Sequence, residues 1–324
     1  MLAFVVRRLL WSVVLFVAIT LVTYVIFFIA PANPERYICG GPQARPECLA
    51  SVRKELGLDR PILVQYGEFL HRTVVERDLG TSYINRQSVN TIVGDAAPVT
   101  ASLVFGAAII WMLTGISIGI LSALRPRSLL DRASMVFVLI GISAHPVWIG
   151  LILSYTFGVK LGITPITGYC DAINPPDGLG CGGFVDWAHH LILPWVTFAL
   201  LFAALYVRMV RANVLETMDE DFVRTARAKG ATEAGVMRSH ILRNAMLPVV
   251  TMLGMDLGIA LGGTIFTETV FSMPGLGFTA VRAVNAYDLP TVMGVVLFAT
   301  FAILVFNFIV DVLYAALDPR IRLG

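Results

Sequence analysis

The sequence predicts an all-α integral membrane protein with six transmembrane helices and cytoplasmic N- and C-termini. Three observations predict it: an apolar composition, six apolar runs of spanning length, and an uneven sharing of Lys and Arg between the loops. Of the 324 residues, 57% are hydrophobic and 14% are charged. A soluble globular chain has about 45–50% and about 25%. The mean hydropathy is +0.78. Such a composition excludes a disordered or collagen-like chain and leaves lipid to complete the surface. The formal net charge of +2 gives no support to a nucleic-acid partner.

The apolar runs lie near Leu9–Ala30, Pro98–Leu124, Ala133–Phe157, Leu191–Val210, Pro248–Phe271 and Pro290–Ala315. A hydrocarbon core about 30 Å thick takes roughly 20 helical residues. The runs are too long for strands and lack the alternation of a membrane barrel. Residues 1–32 resemble a signal peptide in carrying Arg7 and Arg8 before the apolar run and Ala30-Pro31-Ala32 after it. A signal's apolar region has about 7–15 residues, and the run here is longer, so the first segment is read as a span.

Segments 125–132 and 208–247 hold ten Lys and Arg, whereas 158–190 and 272–289 hold only Lys160 and Arg282. The basic pair is therefore cytoplasmic. Arg7, Arg8, Arg320 and Arg322 place both termini on the same side. Residues 1–30 are then the first transmembrane helix. Residues 31–97 form an external loop, a small cap with short helices at Leu49–Gly57 and Ile62–Val75. Residues 98–324 form a core of five spans that includes a cytoplasmic loop over 211–247.

All four cysteines fall in external loops, Cys39 and Cys48 in the first, Cys170 and Cys181 in the second. Each pair has a spacing that a disulfide closes, in a compartment where disulfides persist. No Cys-x-x-Cys occurs, and His189 and His190 lack metal-ligand spacing to the thiols, so no metal site is expected.

The cytoplasmic loop reads as two short helices joined at a glycine. Asp219-Glu220-Asp221 suits a helix N-terminus, and Gly230 suits the position after a helix end. Phe222, Val223, Ala226 and Gly230 fall on one side, with Arg224, Arg227 and Lys229 around the other. A second helix after Thr232 carries Ala234, Met237, Ile241, Leu242 and Ala245 at helical spacing. By pattern alone this element either rests on anionic lipid or docks a cytoplasmic partner.

Residues 224–230, Arg-Thr-Ala-Arg-Ala-Lys-Gly, with His240 and Asn244-Ala245-Met246-Leu247-Pro248 after them, resemble the EAA loop of ABC importer permeases. Arg224-Thr225-Ala226 stands where the general pattern has Glu-Ala-Ala, a variant similar to that of dipeptide and oligopeptide permeases. Leu56-Gly57-Leu58-Asp59-Arg60-Pro61, Asp78-Leu79-Gly80-Thr81-Ser82, Glu268-Thr269-Val270-Phe271-Ser272-Met273-Pro274-Gly275-Leu276-Gly277 and Asp318-Pro319-Arg320 resemble the same subgroup. The resemblance covers nearly the whole chain apart from the Cys-bearing insertions around 37–48 and 170–183.

The resemblance implies a type I ABC importer permease fold in the bacterial inner membrane, surrounded by membrane lipid. It implies a homologous second permease subunit, two cytoplasmic ATPase subunits or one fused ATPase, an external solute-binding protein and a peptide substrate. Haem and nickel complexes are carried by similar permeases. Asp221, Phe222, Val223, Arg224, Thr225, Ala226, Arg227, Ala228, Lys229 and Gly230 would then be the coupling helix, its apolar side seated in a groove of one ATPase. No Gly-x-x-x-x-Gly-Lys-Ser/Thr occurs and the only lysines are Lys54, Lys160 and Lys229. ATP and Mg would be bound by the partners, with no cofactor and no catalytic residue in this chain.

In the fifth span, Asp256, Ala260, Gly263, Thr264 and Thr267 form a small and polar side that suits a translocation path. Asp256 lies roughly 12 Å into the helix at 1.5 Å per residue, where a carboxylate is costly unless it meets water or a partner. Gly254, Gly258 and Gly262, and likewise Gly115, Gly119 and Ala123, recur every four residues as helix-packing ridges. Glu268 and Asp311 read as interfacial groups. Pro146 after His145 is expected to kink the third span. An ion-coupled secondary transporter and a ligand-binding receptor or scaffold are the competing functional classes. The first calls for internal repeats, and none is visible between the halves.

Overall fold

A computed structural model describes residues 2–26, 39, 45–55, 60–172 and 181–317. Among these residues the regular structure is helical, joined by turns and loops, with one isolated antiparallel bridge between Thr81 and Ser88. The expected stop at Gly57, the loop prolines Pro175 and Pro176, and Asp318, Arg320 and Arg322 lie outside the described residues.

The helices are α1 (Leu2–Tyr24), α2 (Pro46–Glu55), α3 (Ile62–Val74), α4 (Val89–Leu124), α5 (Leu129–Ser143), α6 (Pro146–Leu153), α7 (Phe184–Met218), α8 (Asp221–Ala228), α9 (Glu233–Val236), α10 (Leu247–Gly263), α11 (Ile265–Val270), α12 (Leu276–Asn285) and α13 (Leu289–Leu317). A π-helical stretch, Ser154–Lys160, prolongs α6, and a π-helical turn, Met237–Leu242, prolongs α9. Among the described residues, five helical stretches are long and apolar enough to cross a membrane, and the bent pair Leu129–Ser143 and Pro146–Lys160 makes a sixth if counted as one span.

Two differences from the sequence reading follow from local chemistry. At His145 the third span breaks through 108° rather than kinking. Pro146 offers no N–H and disfavours helical backbone at the residue before it. His145 accordingly adopts φ −71, ψ 134, and its Nδ1 accepts the Val147 N–H at 3.3 Å, capping α6. The second difference is length: α4 has 36 residues and α7 has 35, about 50 Å each at 1.5 Å per residue. Residues assigned to loops at 89–97, 184–190 and 211–218 are thus helical.

The chain forms two compact units, one of residues 1–98 with 275–324 and one of residues 99–274. The sequence reading drew a single core from 98 onward, whereas here the last helix groups with the first. In the first unit α1 runs against α13, and Arg8 is ion-paired with Asp311. The α3 helix closes on α1 through Thr20 Oγ1 and Tyr66 OH at 2.8 Å, and Tyr24 and Phe69 pack at 5.4 Å between ring centroids. Asp288, 4% exposed, accepts from Ser82 Oγ, from the Tyr83 N–H at 2.9 Å and from Thr291 Oγ1 at 2.7 Å. Burial, assisted by this carboxylate, pushes the Tyr83 hydroxyl up to about 12, so it stays protonated at any physiological pH.

The second unit is built around α7. Trp111 of α4 stacks on Phe202 of α7 at 4.6 Å. The α4–α7 seam is close because glycines line it: a Cβ on Gly115 would stand 2.5 Å from Tyr206 Cβ, and one on Gly119 would stand 2.7 Å from Val210 Cβ. Small residues four apart let two backbones approach and gain dispersion contact where lipid supplies no hydrophobic drive. The expected ridge at Gly115, Gly119 and Ala123 is thus a packing surface. Of its counterpart in α10, Gly254 and Gly258 are buried and Gly262 is exposed.

Candidate functional site

The cytoplasmic loop of the sequence reading folds as an elbow at the end of α7. Asp219 and Glu220 separate α7 from α8. Gly230, at φ +83, turns the chain out of α8, a conformation that costs a side-chain-bearing residue about 1–2 kcal/mol. Thr232 then caps α9, its Oγ1 accepting the Gly235 N–H at 3.3 Å. Arg227 reaches back across the bend with Nε and Nη2 at 3.0 and 3.2 Å from the two oxygens of Glu233.

Burial divides the α8 residues into two groups. Val223 is 0% and Ala226 9% exposed, both in one core with Val214, Val236, Ile241, Ala245 and Val249. Asp221, Phe222, Arg224, Thr225, Arg227, Ala228, Lys229 and Gly230 are exposed. This corrects the expectation that the apolar side of α8 is free for a partner. The two-helix elbow has too little area of its own to stand without burying that side, so Val223 and Ala226 bind it to its own chain. The outward face is Phe222 and Thr225 with Arg224 and Lys229. A Cβ on Gly230 would meet nothing within 4 Å, so the chain itself leaves that corner open.

The residues assigned to a path in the fifth span come out differently. Ala260 (0%), Thr264 (1%) and Thr267 (1%) are buried within the second unit. They share a helical face with Val249, which is also buried. Asp256 is half-buried and accepts from Tyr206 OH of α7 at 2.8 Å. Glu268, read as interfacial, is 0% exposed and accepts from Thr100 Oγ1 at 2.7 Å. Position near the end of an apolar run predicts the membrane edge for this residue, but α11 turns it inward.

Cys39 is bonded to Cys48 and Cys170 to Cys181. Sequence spacing hid one juxtaposition. His190 Nε2 lies 3.6 Å from Cys170 Sγ, and the ligand atoms of Cys170, Cys181 and His190 fall within 4.8 Å of one another. His190 Nδ1 donates to the Asp186 carbonyl at 2.9 Å, which fixes the ring. Metals take thiolates, and these sulfurs are bonded to each other, so the group is a disulfide with a histidine beside it.

Sequence reasoning missed the ion pair of Asp131 and Arg211. Arg211 Nε and Nη2 meet the two Asp131 oxygens at 2.7 and 3.0 Å, and Ser122 Oγ and the Arg127 N–H also donate to that carboxylate, at 2.5 and 2.8 Å. The available signal was an acid and a base, each just outside the expected end of an apolar run.

A profile described as the binding-protein-dependent transport system inner membrane component matches residues 115–323, and its N-terminal counterpart matches residues 1–104. The chain is 37% identical over 335 residues to the di/tripeptide transport system permease protein DppB of Pseudomonas aeruginosa (strain UCBPP-PA14), covering 99% of each. It is 37% identical over 337 residues to the dipeptide transport system permease protein DppB of Escherichia coli (strain K12), again covering 99% of each. Among solved structures, the inward-facing methionine ABC transporter MetNI superposes with a TM-score of 0.55 at 18% identity, over 70% of this chain and 97% of that one. That likeness is one of fold.

Proposed function

Because the chain belongs to the family of binding-protein-dependent transport system inner membrane components, we propose that it is a permease subunit of an ATP-driven peptide importer, worked through α8. The peptide substrate is supported by full-length relatives named as di- and tripeptide permeases. The termini and the elbow are cytoplasmic in this reading, supported by the ten Lys and Arg of segments 125–132 and 208–247. A second permease, ATPases and an external binding protein complete the assembly in the bacterial inner membrane.

The observation that carries the coupling role is the division of α8. Its inner side is fixed to the core by Val223 and Ala226, while Phe222, Arg224, Thr225 and Lys229 face outward. An ATPase groove that closed on the outer face would therefore move α7 and α10 through the inner one, as a rigid body. Arg224 and Lys229 steer docking, since exposed ion pairs contribute only about 0–1 kcal/mol each. Phe222 supplies the apolar contact. Arg227 holds the elbow closed through Glu233. The disulfides stiffen the external loops.

The test is co-purification together with uptake. The wild-type chain brings down ATPase and, in vesicles holding the binding protein, imports a labelled dipeptide at the expense of ATP. Gly230→Trp leaves the chain in the membrane and abolishes ATPase retention and uptake, because the open corner is where the partner sits. Uptake that persists without ATPase, or that an ionophore abolishes while ATP is retained, refutes the reading in favour of an ion-coupled carrier.

A further inference from the structure

We propose that Asp131 and Arg211 are positioning residues that lock the last turns of α7 to α4 and α5, so that a displacement of α8 turns the helices of the second unit together. The proposal rests on the coupling reading of α8 and names the residues that transmit its motion. Arg211 offers two N–H groups to two oxygens at 2.7 and 3.0 Å. This planar two-point contact fixes orientation as well as distance.

The same carboxylate takes one hydrogen bond from Ser122 of α4 and one from the backbone of Arg127 in the α4–α5 turn. Ser134 of α5 closes the group, donating to the Asp131 carbonyl at 2.8 Å and lying 3.0 Å from Ser122 Oγ. Three helices and a turn therefore meet on one side chain that is 7% exposed. Arg127 sits at φ +64, a conformation uncommon for a residue with a side chain, and its N–H is held by Asp131.

Location separates this group from an ordinary buried pair. From Arg211 the helix runs unbroken to Met218, about 10 Å at 1.5 Å per residue, and α8 begins at Asp221. A load applied to α8 reaches the last turns of α7, through the link at Asp219 and Glu220 and through Val214, which shares a buried core with Val223. An unlocked end would bend and absorb the displacement. Buried ion pairs are poor stabilisers compared with apolar packing, but the fork-on-fork contact of Arg211 and Asp131 holds one orientation, and that is the property a transmission joint needs. Lysine cannot reproduce the contact, because it presents a point charge in place of a fork.

The experiment reconstitutes the whole transporter, with ATPases and binding protein, in proteoliposomes. It counts ATP hydrolysed per labelled dipeptide imported for the wild type, Arg211→Lys, Asp131→Asn and Ser122→Ala. The expected result is that Arg211→Lys and Asp131→Asn retain ATPase and hydrolyse ATP, while ATP consumed per peptide rises about tenfold, within the usual range of coupling energies. Ser122→Ala, which leaves the ion pair in place, raises it about twofold on the same scale.

An unchanged ratio in assembled Arg211→Lys and Asp131→Asn overturns the proposal. So does a parallel fall of hydrolysis and import with the amount of complex, which marks a purely structural pair. If both charged variants fail to assemble, Ser122→Ala decides, and an unchanged ratio there overturns it. A wild-type chain that retains no ATPase fails the coupling reading before any variant is compared.

Discussion

Helices α1 and α7 are both apolar enough to cross a membrane, yet 11% of the spanning window of α1 is buried inside the chain and 61% of that of α7. Leu9, Leu10, Trp11, Val13 and Val14 of α1 are exposed in the protein, whereas Tyr206, Val207, Val210 and Val214 of α7 are 0% exposed. Hydropathy reports that a segment leaves water. It does not report whether lipid or protein receives it, because a lipid tail and a leucine are equally apolar. What distinguishes the two helices is what their neighbours present. Glycines of α4 and the carboxylates Asp131 and Asp256 face α7, and α1 has partners mainly on the side of Thr20 and Tyr24.

The largest expected effect therefore lies on the α4–α7 seam. Gly115→Leu places carbon atoms where Tyr206 Cβ already stands, 2.5 Å from the new Cβ. Overpacking costs about 1–3 kcal/mol, and more where backbone must move. The melting midpoint of the detergent-purified chain, followed by tryptophan fluorescence, should fall sharply. A variant as stable as the wild type would show that the seam is looser than its geometry and that α7 is no better packed than α1.

The glycine ridge of α4 was legible in the sequence because spacing by four is a local property. The elbow was legible for the same reason: Asp221, Gly230 and Thr232 are local stop and start signals. The side each element buries was not legible. Val223 and Ala226 look like a docking surface when α8 is read alone, and only the folded chain brings Val236, Ile241 and Val249 to them. Ala260, Thr264 and Thr267 look like a path for the same reason. Small residues suit both a channel wall and a tight helix contact, and sequence period cannot separate the two. Pairings across 80 residues, as between Asp131 and Arg211, leave no periodic trace at all.

A smaller effect is expected where a polar group rather than volume is removed. Tyr206→Phe keeps the ring in its buried place and takes away the hydroxyl that donates to Asp256 at 2.8 Å. A hydrogen bond to a charged group contributes about 1.5–3 kcal/mol. Asp256 is only half-buried, so water can replace part of the loss and the lower end applies. The check is a double-mutant cycle with Asp256→Ala, which removes the acceptor, read by the same melting midpoint. Additive losses would mean that the two groups do not interact, and the polar contacts of α7 would no longer set it apart from α1.

The smallest effect falls on α1. Leu10 is 62% exposed in the protein, and its outer face meets lipid in the proposed setting. Leu10→Ala opens no cavity, because hydrocarbon tails close over the shortened side chain as they did over the longer one. Substitutions away from packed or polar features usually stay within about 0.5 kcal/mol. Melting in detergent should then be unchanged, and dipeptide uptake by the assembled transporter should equal that of the wild type. A loss of uptake by the assembled transporter, with melting of the purified chain unchanged, would mean that another chain covers this face of α1. The contrast between the helices would then lie in which protein buries them, and α1 would be the place to look for the partner.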